Sequence, residues 1–144
     1  MTKKLEDYEW LCPQPFMNLY KNVFGRIQPC CVTKQESNWG GGEIDDYFKS
    51  DKLKQLRHEM LTTPGKEVAS TCDVCLVQEQ HGSESHRRTY LDYLKYGKPE
   101  LKPQIEEYIE TDMEKPFIKT MEWLAPSNYC NLRCHMCGSG NSSS

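Results

Sequence analysis

The chain has 144 residues, with 18 Lys and Arg against 21 Asp and Glu for a net charge of −3, and its mean hydropathy is −0.78. That is room for one domain, or a small domain and a piece of another. No run approaches the roughly 18 apolar residues of a membrane helix, Lys3 and Lys4 are not followed by the apolar stretch of a secretion leader, and no basic block suggests a nucleic-acid surface.

In chain order, Phe16 to Val32 reads as a β-hairpin. Met17, Leu19 and Tyr20 form one strand, Asn22 to Gly25 the turn, and Arg26-Ile27-Gln28 the return, with Gly25 supplying a positive φ. Trp39-Gly40-Gly41-Gly42 reads as a loop, and Gly41-Gly42-Glu43 within it as no more than that. Ser50 is placed to cap a helix whose apolar positions are Leu53, Leu56 and Met60, ending at Thr62-Thr63-Pro64-Gly65. A second helix follows Gly82, with Arg87, Tyr90, Leu91 and Leu94 on one face and Gly97-Lys98-Pro99 as its stop. A third carries Leu101, Ile105, Tyr108 and Ile109, with Pro103 near its start and Glu106, Glu107 and Glu110 as a solvated face. Phe117 to Leu124 reads as a strand, and Pro126 and Asn128 open a loop.

Eight cysteines are the anomaly of the composition. In a chain expected in the cytoplasm they point to metal or cluster ligation rather than to disulfides. They fall into three groups: Cys12, Cys30 and Cys31; Cys72 and Cys75 in a CxxC; and Cys130, Cys134 and Cys137. The last group spells C-x3-C-x2-C on a loop after a strand. Three thiolates so spaced can hold three irons of a [4Fe–4S] cluster and leave the fourth open to a chelating ligand. Zinc sites favour paired CxxC knuckles with four ligands, which this spacing fits poorly. The first two groups combine as C-x12-G-x4-C plus CxxC. The glycine turn brings Cys12 and Cys30 to the same end of two paired strands. With Cys72 and Cys75 they make a four-thiolate set, suited either to a [4Fe–4S] cluster or to zinc. Cys31 is the alternative to Cys30, because neighbours on a strand face opposite ways.

The C-x3-C-x2-C loop of Cys130, Cys134 and Cys137 resembles that of the radical S-adenosylmethionine (radical SAM) family. Cys12, Gly25, Cys30, Cys72 and Cys75, with the segment Phe48 to Arg57, are similar to the SPASM and twitch domains that hold auxiliary clusters in such proteins. The shorter, single-cluster twitch form fits better, since no cysteine lies between Cys75 and Cys130. The resemblance implies a SAM-binding [4Fe–4S] cluster on Cys130, Cys134 and Cys137, with S-adenosyl-L-methionine chelated at its open iron. An auxiliary cluster would sit on Cys12, Cys30, Cys72 and Cys75. It also implies an external electron donor such as ferredoxin or flavodoxin, and modification of a peptide, a protein or a small molecule.

The expected architecture is α+β: a twitch-like cysteine-rich domain of a small hairpin plus helices over 1–80, a helical connector over 81–116, and the first strand and cluster loop of an incomplete radical SAM (β/α) barrel over 117–144. A full barrel needs about 200 residues or more, so the chain reads as the N-terminal portion of a longer protein, and catalysis is not expected from it alone. Two other readings remain open: a non-catalytic iron–sulfur electron-transfer protein, with Cys31 or His135 as a further ligand, and a zinc-binding interaction module. Trp10, Trp39 and Trp123 read as packing or loop residues and His81 and His86 as exposed bystanders, with no paired carboxylate or nucleophile beside them.

Overall fold

The computed structural model describes residues 3–22, 25–33, 39, 43–111, 113 and 115–123. The loop bearing Cys130, Cys134 and Cys137, together with Gly40 to Gly42, lies outside them. Among the described residues the fold is mixed α and β, with seven α-helices and one three-stranded sheet.

A short helix α1 (Gln14–Met17) leads directly into β1 (Asn18–Lys21), and β2 (Ile27–Gln28) returns beside it. Met17 therefore closes a helical turn rather than opening the strand. Pro15 stands in the first turn of α1, where its missing N–H costs nothing. The hairpin itself forms as its sequence predicts. Gly25 takes φ +77°, and its N–H donates to Asn22 O at 3.0 Å. Asn22 Oδ1 also accepts the Arg26 N–H at 3.1 Å, closing the turn with a side chain.

Helices α2 (Ile44–Lys49), α3 (Asp51–Leu61), α4 (Lys66–Thr71) and α5 (Asp73–Gln80) follow. Ser50 caps α3 as expected, its Oγ accepting the Leu53 N–H at 3.3 Å. Leu53, Leu56 and Met60 are fully buried. The sequence reading placed no helix between α3 and the CxxC. The structure inserts α4 there and carries the CxxC into the first turn of α5. Helix α6 (His86–Asp92) runs into a π turn over Tyr93–Gly97, and α7 (Leu101–Ile109) starts with Pro103 inside its first turn, where the N–H groups have no helical partner.

Strand β3 (Thr120–Trp123) pairs parallel to β1, Asn18 opposite Thr120 and Lys21 opposite Trp123, so the order is β2-β1-β3. The strand is shorter than expected at its start: Phe117 instead stacks on Tyr108, centroids 4.4 Å apart. The sheet draws on the hairpin near the start of the chain and on a strand a hundred residues later. Met17 O receives the Lys119 N–H at 2.8 Å and sets that register.

The core joins Phe16, Met17, Leu19 and Ile27 to Tyr47, Phe48, Leu53, Leu56, Met60, Leu94 and Ile105. Two charged residues of α3 are buried with it. Arg57 is 2% exposed. Its Nε donates to Pro15 O at 2.8 Å and one terminal nitrogen to Met113 O at 2.6 Å. The rings of Phe16, Phe48 and Tyr108 lie 5.4 to 5.5 Å from its guanidinium carbon. Glu59 turns to the other side and accepts the N–H groups of Gly65, Glu67 and Val68 at 2.9, 3.2 and 3.0 Å, capping α4. Glu106, read as part of a solvated face, is half-buried instead and accepts the Leu5 N–H at 3.0 Å. The reason is that the N-terminal segment lies across α7. Among the described residues no helix is long and apolar enough to cross a membrane.

Candidate metal centre

Cys12, Cys30, Cys72 and Cys75 line one small cavity, which Trp10, Leu56, Met60, Arg87 and Tyr90 help to enclose. They come from three separate parts of the fold, each positioned by its own local chemistry. Cys12 precedes Pro13, the residue at the N-terminal boundary of α1. Cys30 sits in the turn after β2. There the Gln28 side-chain amide donates to Cys30 O and Thr33 O at 3.0 and 2.9 Å, and Asn18 Nδ2 ties Pro29 O to β1 at 3.0 Å. Cys72 is the junction residue that ends α4 and opens α5. Cys75 lies one turn further on the same face, as three-residue spacing on a helix requires.

Cys31 is exposed and is not part of that lining; its Sγ lies 3.6 Å from the Tyr90 hydroxyl. The turn thus sends Cys30 inward and Cys31 outward. None of the five described cysteines is in a disulfide.

The electrostatics of the four thiols have a common pattern. Burial pushes Cys12 well above its ordinary value and the nearby sulfurs of Cys30 and Cys72 add to this, while the N–H of Gln14 opposes it. Cys30 is raised by burial, against the Thr33 hydroxyl at 3.4 Å and the Val32 N–H. Burial also raises Cys72, with Cys30 and Cys75 adding and Arg87 opposing. Cys75 is raised by burial too, and there the N–H groups of Arg87 and His86 donate toward the sulfur. Thiols crowded in a dry cavity hold their protons unless a cation shares it. The N–H and O–H donors aimed at three of the four sulfurs are the kind of partner that stabilises a metal-bound thiolate. The donor set therefore fits a thiolate-bound metal or cluster.

The volume at the centre of the cavity is about 20 Å³, the space of a single water. Among the described residues no three His, Cys, Asp or Glu stand together as a ready metal-ion site. An iron–sulfur cubane must move the walls outward. A zinc ion must draw four sulfurs to about 2.3 Å from one point.

Behind the cysteines stands a polar group that the sequence reading missed. Arg87 lies on α6, and its spacing predicts a shared helix face with Tyr90, Leu91 and Leu94. It instead reaches back to α5, where its Nε donates to Glu79 Oε2 at 2.9 Å and a terminal nitrogen pairs with Glu79 Oε1. Its other terminal nitrogen donates to Leu11 O at 3.2 Å, and its guanidinium lies 4.7 Å from the Trp10 ring centre. Ser85 Oγ donates to Glu79 Oε2 at 3.0 Å and accepts the Arg88 N–H at 3.2 Å. The signal in the sequence was Glu79 one turn after Cys75, followed by a serine cap and two arginines. A larger, open cleft of about 440 Å³ lies between the N-terminal segment and α6, floored by Leu5, Leu11 and Leu94. Among the described residues it is lined by no cysteine or histidine, and it meets the cysteine cavity at Arg87.

Of the remaining candidates, Trp39 is buried and Trp10 half-buried against Arg87. His81 is exposed, and His86 is half-buried with its ring 6.4 Å from that of Tyr90. Cys130, Cys134, Cys137 and His135 lie outside the described residues. No family model matches the chain, and neither a curated protein nor a solved structure matches it.

Proposed function

We propose that the chain is a radical SAM protein, with an auxiliary [4Fe–4S] cluster on Cys12, Cys30, Cys72 and Cys75 and a SAM-binding [4Fe–4S] cluster on Cys130, Cys134 and Cys137. The observation that carries this reading is the convergence of four cysteines, up to 63 positions apart in sequence, on one cavity with hydrogen-bond donors turned to three of their sulfurs. Support for the terminal cluster is the C-x3-C-x2-C spacing and its resemblance to the radical SAM loop.

When bound, the terminal group supplies one-electron reductive cleavage of S-adenosylmethionine to methionine and a 5′-deoxyadenosyl radical. The chain's own part at the auxiliary site is to hold four thiolates, to donate N–H from Gln14, Val32, His86 and Arg87 to sulfur, and to keep water out with Leu56, Met60 and Tyr90. Such a protein works in the cytoplasm, takes electrons from a small carrier such as ferredoxin or flavodoxin, and acts on a peptide, a protein or a small molecule.

The test is iron, zinc and acid-labile sulfide per chain after anaerobic purification and reconstitution. About eight irons are expected for two cubanes. Cys72→Ala should lose about four of them, and Cys130→Ala should disturb the other four. Addition of SAM should then perturb the spectrum of Cys72→Ala and leave that of Cys130→Ala unchanged. The small central volume of the cavity favours one second reading, a structural zinc ion on the same four cysteines. Mainly zinc with little iron would establish it and remove the radical SAM assignment.

A further inference from the structure

We infer that Arg87 and Glu79 act as an opposed pair of tuning charges at the four-cysteine site, Arg87 raising and Glu79 lowering the reduction potential of the cluster held there. This rests on the reading of that site as an iron–sulfur centre.

The geometry carries it. Arg87 lines the same cavity as all four cysteines. It is not free to swing away: its fork is closed on Glu79, its third nitrogen donates to Leu11 O at 3.2 Å, and Trp10 lies against its face. Leu11 is the residue before Cys12, and Glu79 is one helical turn beyond Cys75 on α5, so the pair is bonded into the backbone and helix that present two of the four ligands. Both side chains are nearly enclosed, 14% and 12% exposed, so water and salt screen them weakly. Reduction of an all-thiolate cluster adds an electron to a group that is already negative. A fixed positive charge in the wall favours that electron and a fixed negative charge opposes it.

A purely structural ion pair predicts something different. Loss of either partner would then loosen the site in the same way, and the two variants would behave alike. As tuning charges, the two variants must move the potential in opposite directions.

The experiment uses the full chain with Cys130, Cys134 and Cys137 replaced by alanine, so that only the auxiliary site can be loaded. After anaerobic reconstitution, iron content is measured and the cluster is titrated with dithionite, one electron per cluster, followed by absorbance and electron paramagnetic resonance. Arg87→Gln is expected to lower the equilibrium constant for reduction about tenfold, equivalent to a shift of about 59 mV to lower potential. Glu79→Gln should raise it by a similar factor, and the double variant should return close to the parent value. Arg87→Lys keeps the charge without the fork and should stay within about threefold of the parent. If Arg87→Gln fails to retain iron, Glu79→Gln and Arg87→Lys still decide, because a lack of rise in the first or a large fall in the second overturns the inference. Iron-loaded variants whose potentials do not move, or move in the same direction, also overturn it. A parent protein that binds zinc and no iron defeats the reading of the site itself, which is a separate result.

Discussion

Two pairs of charged residues, one buried and one half-buried, lie in adjacent parts of this fold and are held in opposite ways. Arg57 and Glu59 are two positions apart on α3 and point to different sides, and both bond mainly to backbone: carbonyls of Pro15 and Met113 take two of the guanidinium nitrogens and leave the third without a partner, and N–H groups at the start of α4, with the Gln55 amide, meet the carboxylate. Glu79 and Arg87 answer each other across α5 and α6, with Arg88 Nε 3.4 Å from the same carboxylate and a serine hydroxyl and a single carbonyl beside them. A charge bonded to backbone holds segments together and has no substitute. A charge bonded to another side chain can be exchanged with its partner while the chain path survives, and it leaves a directed field. The first pair braces the fold, and the second stands at the thiols. The comparison breaks if the two pairs respond alike.

The largest effect is expected at Arg57. In Arg57→Met the side-chain volume is roughly kept, but Pro15 O loses its side-chain donor, Met113 O keeps only the Tyr108 hydroxyl at 2.8 Å, and three rings lose their cation. An unsatisfied buried polar group costs about 1–3 kcal/mol, so a loss of about 3 kcal/mol is expected, read as a fall in the denaturant midpoint. A change under about 1 kcal/mol would mean that the carbonyls find other donors, and Arg57 would then not be a brace.

Arg57 also shows what was legible in the sequence. The Ser50 cap and the apolar spacing Leu53, Leu56, Met60 reveal α3 in full, and the same spacing puts Arg57 on the buried face, one position after Leu56. Reading every charge as solvated hides it. The hairpin was legible because Gly25 must supply a positive φ, and α6 and α7 because Gly97 and Pro103 punctuate them. Helices α2 and α4 were not, since six residues make fewer than two turns and show no period. Helix α5 has only Cys75 fully buried, so it lacks an apolar stripe. The β1–β3 pairing joins residues about a hundred positions apart through a parallel ladder, which no local pattern encodes. That Cys12, Cys30, Cys72 and Cys75 come to one cavity was legible because thiol spacing is a chemical signal independent of period. Its wall was not, because Arg87 looks like any helix-face residue until Glu79 is seen opposite.

Glu59 should show a smaller effect with a pH signature. Burial works against its charge, but the N–H groups of Val68, Glu67 and Gly65 and the Gln55 amide outweigh it and hold the carboxyl below its ordinary 4.5. A carboxyl lowered by folding contributes stability that is present above its unfolded value and is lost as the pH falls toward the folded one. Glu59→Gln should cost about 1–2 kcal/mol at pH 7, in the range of helix-capping losses. Below about pH 4.5 the gap between parent and variant should narrow. A gap that stays constant down to pH 3 would show that the capping contacts, rather than the charge, do the stabilising.

The smallest effect is expected where both partners face water. Lys102 Nζ lies 2.7 Å from Glu6 Oε2 and joins α7 to the N-terminal segment, but the two side chains are 34% and 57% exposed. The short distance suggests a strong tie, and exposure argues against one. Water already solvates both ends, salt screens what remains, and two long side chains lose rotamer freedom to meet. The Leu5 N–H bond to Glu106 fastens the same segment from a half-buried position, so the tether survives the loss of the pair. Lys102→Gln should therefore change stability by less than about 1 kcal/mol, and 1 M salt should remove what difference there is. A loss comparable to that of Arg57→Met would mean that closeness of contact, rather than burial and backbone bonding, decides which charges brace this fold.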